Sequence, residues 1–164
     1  MSSKPFVVNV AEAKAFASKN AGSYVPFEDR EDPFADFGIN IHVLQPGEPN
    51  AKYHSEVSQE SFLVLSGEAI VILDGVQRPL RQWDFVHCPA ATEHVFVGAG
   101  NGPCAILMVG VRKNGAEVGV HYPPNEIAAR YGAEAPEPTS DPEVAYSDWD
   151  RGLTETRLDW PPAG

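Results

Sequence analysis

The central part of this chain is a train of short apolar runs cut by tight turns, with no helical segment between Phe37 and Val111. Phe37, Ile39, Ile41 and Val43 alternate with Gly38, Asn40, His42 and Leu44, which is the period-two signature of a strand. Pro46-Gly47 ends that run. Ser61 to Leu65 is apolar and closes at Ser66-Gly67, and Ala69 to Leu73 ends at Asp74-Gly75, a hairpin signal. Val76 to Leu80, Trp83 to Cys88, Val95 to Val97 and Cys104 to Val111 continue the series, separated by turns at Pro89 to Thr92 and Gly98 to Pro103. Strands this short and this closely spaced form an antiparallel sandwich or barrel. A parallel α/β sheet needs crossover helices, and none is encoded here. The expected class is all-β.

The flanks read differently. Asn9 can cap a short helix with Glu12 three residues on, and Ala and Lys carry it to Lys19 before Ala21-Gly22 stops it. Residues 1–36 are expected to be an arm with that helix, 37–120 the barrel, and 121–164 a second short helix with an acidic, proline-rich tail. The second helix starts at Pro124-Asn125-Glu126 and stops at Gly132. Tyr146, Trp149, Leu153 and Trp160 are too apolar for a spacer and are expected to pin the tail to the barrel or to a partner subunit. Glu28 to Asp36 holds five acids and one Arg without regular ligand spacing, and reads as a solvated loop.

Charge narrows the partners. The formal net charge is −11, and nine acids against three bases lie beyond residue 120. Nucleic acid and anionic membrane surfaces both select cationic faces, so neither is expected as a partner. No apolar run reaches the roughly 20 residues that span a bilayer. No basic segment followed by an apolar core opens the chain, so a cytoplasmic location is expected. Cys88 and Cys104 form no framework and no Cys-x-x-Cys pair, and read as buried reduced thiols.

Candidate chemistry concentrates between Gly47 and Gly67. His54, Glu56 and Glu60 stand at i, i+2 and i+6. Side chains two apart on a strand share a face, roughly 6–7 Å apart, and can close on one ion from one wall. His94 lies 34 residues after Glu60, beyond a hairpin, where a neighbouring strand can present it. Imidazole nitrogen with carboxylate oxygen suits a divalent Mn, Fe, Ni, Co or Zn ion and does not choose among them. Other chemistries are absent: there is no Gly-x-Ser-x-Gly, no phosphate-binding loop, and His87 beside Cys88 would face the opposite way.

These residues resemble the two motifs of the cupin family. Its first motif is Gly, five residues, His-x-His, three or four residues, Glu, six residues, Gly. Here it reads Gly47, six residues, His54-x-Glu56, three residues, Glu60, six residues, Gly67. Its second motif is Gly, five residues, Pro-x-Gly, two residues, His, three residues, Asn. Here it reads Trp83, five residues, Pro89-x-Ala91, two residues, His94, three residues, Gly98. The resemblance covers about residues 37–112. It implies a double-stranded β-helix, the jelly-roll barrel, with a metal in its mouth and a tendency to homodimerise. It also carries His54, Glu60 and His94 over as ligands, with Glu56 in place of the middle His.

That replacement leaves two arrangements open. A two-His, two-Glu set would neutralise a divalent ion, whereas three His and one Glu leave one positive charge; the neutral site is the weaker Lewis acid. Alternatively Glu56 stays unligated and leaves a facial triad. His42, His87 and His121 match no motif. His42 is expected to be a satisfied structural histidine unless its face is inward, and His87 to sit on the outer face or at a subunit contact. Glu93 is expected to face solvent, and Phe62, Val64, Val86, Phe96 and Ile106 to be core. The expected function is a metal-dependent enzyme on a small organic molecule, of oxygenase, decarboxylase or isomerase type. The alternatives are a non-catalytic small-ligand cupin and a barrel whose role is assembly.

Overall fold

The computed structural model describes residues 5–29, 31–112 and 119–160. Twelve strands are described. Two N-terminal ones, β1 (Ala15–Ser18) and β2 (Ser23–Pro26), lead into the long β3 (Phe37–Leu44). The motif-bearing stretch holds β4 (Ser55–Glu56) and β5 (Glu60–Ser66), followed by the hairpin β6 (Glu68–Leu73) and β7 (Val76–Arg81). Then come β8 (Phe85–Cys88), β9 (His94–Ala99), β10 (Cys104–Val111), β11 (Val120–His121) and, near the C-terminus, β12 (Leu153–Thr156). Two four-residue helices, α1 (Glu126–Ala129) and α2 (Pro142–Ala145), lie between β11 and β12. No helix among the described residues is long and apolar enough to cross a membrane.

The strands form a seven-stranded sheet, β12-β1-β2-β3-β10-β5-β8, a three-stranded sheet, β7-β6-β9, and the short pair β11-β4. All pairings between named strands are antiparallel. The first two sheets close on a core of Leu44, Phe62, Val71, Phe96 and Ile106, each under 4% exposed. The turn Asp74-Gly75 has φ of +46° and +76°, as a two-residue type I′ hairpin requires. Gly67 also has positive φ, and an added Cβ would lie 2.5 Å from the Pro103 carbonyl, so close backbone approach fixes glycine there. Val64, Val86, Phe96 and Ile106 are buried as expected.

Two expectations change, those for the N-terminal helix and for Glu28. The N-terminal helix is a single 3-10 turn, Val10–Glu12, capped by Asn9, whose side chain accepts the Ala11 N–H. Residues Ala15–Ser18 are instead a strand between β2 and β12. Helix propensity is a weak prior, and pairing with a strand more than a hundred residues away overrides it. The tail is held on the barrel: β12 completes the large sheet, while Leu158 and Trp160 cover Ile41, Val43 and Ala105. This cover also decides which face of β3 is interior, which alternation alone leaves open. Ile41 and Val43 face the terminal arms, while Leu44 joins the core and Asn40 and His42 line the interior cavity. Finally, Glu28 is not simply solvated. Its carboxylate takes two bonds from Arg112, at 2.6 and 2.7 Å.

Candidate metal centre

The bridge between residues 54 and 94 builds the centre. His54 N–H donates to the His94 carbonyl at 3.1 Å and His94 N–H returns the bond at 2.7 Å. This reciprocal pair places the two imidazoles side by side, with ring centroids 4.7 Å apart. Glu60 opens β5 opposite Gly110 of β10. One donor atom from each of His54, Glu60 and His94 lies within 4.8 Å of the others.

Each ring is oriented the same way. His54 Nδ1 donates to the Lys52 carbonyl at 2.7 Å, and His94 Nδ1 donates to the Thr92 carbonyl at 3.0 Å. A neutral imidazole that donates from Nδ1 keeps a lone pair on Nε2, which is how protein imidazoles are prepared as metal ligands. Glu60 Oε2 sits 3.1 Å from His94 Nε2. It is buried and has no hydrogen-bond partner in good geometry. Two lone-pair atoms at that distance need a proton or a cation between them. The donor set of two imidazoles and one carboxylate therefore fits a divalent transition metal.

The electrostatics agree. Burial pulls His94 down, but the adjoining Glu60 carboxylate outweighs it and leaves its pKa raised. Burial, and then His94, hold His54 down to about 4, so this ring is neutral near neutrality. Glu56 stands apart, on β4, with Oε1 3.8 Å from His54 Nε2. Burial and the charge of Glu60 push its carboxyl up to about 7. The structure thus brings His54, Glu60 and His94 together and places Glu56 at the edge of the same cavity.

That cavity has a volume of about 400 Å³. Asn40, His42, Tyr122 and Tyr146 line it beside the His–Glu cluster. His42 corrects the expectation of a satisfied structural residue. It stacks on Tyr24, and its buried Nδ1 has no partner among the described residues. His87 is exposed on the outer side beside Ser61, and His121 is exposed near Ser140. Glu93 does point away from the cluster, but it accepts a bond from the buried Tyr53 hydroxyl rather than only facing water. Cys88 and Cys104 are free and buried, and burial pushes the thiols up to about 12 and 11.

Sequence reasoning missed Lys52 and Tyr122, and read Tyr146 only as a residue that pins the tail. Lys52 is fully buried and Tyr122 is 5% exposed. Tyr146 reaches the cavity from the C-cap of α2. No periodicity signals which of the tail side chains enters the cavity. For Lys52 the signal was its place two residues before His54.

The cupin domain profile matches residues 40–110. No protein of curated function matches the chain. Among solved structures, the polyketide cyclase RemF of Streptomyces resistomycificus is similar at a TM-score of 0.59 and 18% identity, over 70% of this chain and 84% of that one. A sugar phosphate isomerase from a cupin superfamily of Silicibacter pomeroyi gives 0.55 and 18%, over 94% and 83%. A candidate sugar phosphate isomerase of Acidithiobacillus ferrooxidans gives 0.47 and 24%, over 56% of this chain, which spans 60% of that protein's length. At these identities the likeness is one of fold.

Proposed function

We propose a metal-dependent activity for this chain, which belongs to the cupin superfamily through its conserved barrel. In this reading His54, Glu60 and His94 hold one divalent transition ion, and the barrel acts on a small organic molecule. The carrying observation is the 3.1 Å approach of Glu60 Oε2 to His94 Nε2, with both imidazoles already committed at Nδ1. When bound, the ion would supply Lewis acidity toward a substrate oxygen. The chain's residues do the rest. The Lys52 and Thr92 carbonyls fix the ring tautomers. Glu60 contributes the carboxylate ligand. Glu56, whose carboxyl is held near 7 without metal, can keep or release a proton at the cavity wall. Oxygenase, decarboxylase and isomerase reactions are the types such a centre serves.

A second reading, a non-catalytic small-ligand cupin, is favoured by Glu56. At 3.8 Å from His54 Nε2 it is near enough to become a fourth protein ligand, which would leave fewer open positions. We extend the proposal to a homodimer. The edge strand β8 carries Phe85 at 64% exposure, with Trp83 at 66% just before it, which supports a covered face there.

The test is elemental analysis of protein purified without added metal, with His54→Ala and Glu56→Ala alongside. Stoichiometric Mn, Fe, Co, Ni or Zn that is lost in His54→Ala and kept in Glu56→Ala supports the three-residue site. Loss in both variants favours four ligands. No transition metal in the wild type removes the basis of the enzyme reading.

A further inference from the structure

Lys52 is the one charged side chain among the described residues with no exposed surface at all. A buried ammonium is strongly unfavourable unless its donors are matched, and here they are. Its Nζ donates to the Glu134 carbonyl at 2.8 Å, the Gly132 carbonyl at 3.3 Å and Asp148 Oδ2 at 2.9 Å. It also lies 4.7 Å from the centroid of the Trp149 ring. All four partners belong to residues 132–149, well outside the region that the cupin profile matches.

The backbone of the same residue is divided between two tasks. The Lys52 N–H donates to the Tyr146 hydroxyl at 3.2 Å, and the next N–H, of Tyr53, donates to the Ala133 carbonyl at 2.7 Å. The Lys52 carbonyl accepts the His54 Nδ1 proton. One continuous chain of hydrogen bonds therefore runs from the C-terminal segment through residue 52 to one imidazole. The other imidazole ring has its own anchor. His94 is held by Thr92, whose own N–H is tied into a turn on the Pro89 carbonyl. The hydrogen bonds that start in the tail thus end on the His54 ring and not on the His94 ring.

We infer that Lys52 is a positioning residue of the metal centre, and that residues 132–149 are the clamp through which it aims the His54 imidazole. This rests on the proposed ligand role of His54. Outer-sphere partners of a ligating histidine fix its tautomer and ring plane, and their loss commonly weakens metal binding about 10–100-fold. The carbonyl itself survives any substitution at residue 52. What is lost is the anchoring of the backbone segment that carries it.

The experiment uses the full-length chain, with Zn(II) alone and Co(II) alone as probes. Zn(II) affinity is measured by competition titration in wild type, Lys52→Met, Tyr146→Phe and Trp149→Leu. Imidazole ¹⁵N spectra report the tautomers of His54 and His94, and the Co(II) absorption spectrum reports ligand geometry. Lys52→Met should weaken Zn(II) binding about tenfold or more. It should also perturb the His54 signals while sparing those of His94, and alter the Co(II) spectrum. If Lys52→Met does not fold, Tyr146→Phe and Trp149→Leu should show the same pattern at smaller amplitude. Ile41→Val, a buried change in the cluster under the terminal arms, which contains no clamp residue, lowers stability and should leave Zn(II) affinity unchanged. Affinities within about twofold of wild type in the clamp variants, with His54 signals unmoved, overturn the inference. Failure of the underlying reading looks different. In that case the wild type binds neither ion, or His54→Ala binds as well as the wild type.

Discussion

Metal uptake should release protons in a number that the site's own electrostatics set. In the metal-free protein His54 is neutral down to about pH 4, so it contributes no proton near pH 6. His94 is raised above its ordinary value, and Glu56 is held up to about 7. Both therefore carry a proton at about pH 6, and a cation at the cluster displaces both. The sign follows. Protons compete with metal, so affinity rises with pH through the His94 and Glu56 titrations and levels off above them. Each competing proton is worth about tenfold in affinity per pH unit, so two give about a hundredfold per unit on the acid side. Glu56→Gln removes one of them and should bring the slope to about tenfold. The assay is Zn(II) calorimetry at about pH 6 in two buffers of different protonation enthalpy, which counts protons directly. Release of close to two protons in wild type and one in Glu56→Gln is expected. Less than about half a proton in both proteins would refute the reasoning, because His94 would then not be protonated against Glu60.

Phe62 is 3% exposed and packs on Phe96 at 4.4 Å and His94 at 5.3 Å. Phe62→Ala should lower stability by about 3–5 kcal/mol in denaturant unfolding, and a loss under about 1 kcal/mol would contradict that packing. Truncation after Trp149 removes β12 and the cover from Leu158 and Trp160. It should lower the melting temperature yet keep wild-type Zn(II) affinity, since the Lys52 clamp ends at residue 149; a matching loss of affinity would refute that division. Replacing Trp83 and Phe85 by Ser should convert a homodimer to monomer by light scattering, and an unchanged mass would place the interface elsewhere. Neither cysteine should react with a thiol reagent in the native protein, and both should in denaturant, because burial holds the thiolate form out of reach.

Strand periodicity and turn chemistry are local, so they were legible in the chain itself. Cys104–Val111 stands as read, and the Asp74-Gly75 turn and the short helix capped by Asn125 appear where those residues put them. The spacing of His54, Glu56, Glu60 and His94 marked the candidate centre before any contact was known. Three decisions depended on the tertiary structure. Alternation in β3 shows that two faces differ. Which face is interior depends on arms from both ends of the chain, and these turned Asn40 and His42 inward. The Ala- and Lys-rich segment after Asn9 favours a helix by itself, but β12 offers its backbone a sheet partner, and tertiary pairing outweighs a few tenths of a kcal/mol of propensity per residue. The last decision is the role of Lys52. In sequence it is an ordinary surface-type residue beside a motif. Only the return of residues 132–149 gives its ammonium enough acceptors to be buried, and only that burial fixes the carbonyl on which His54 rests.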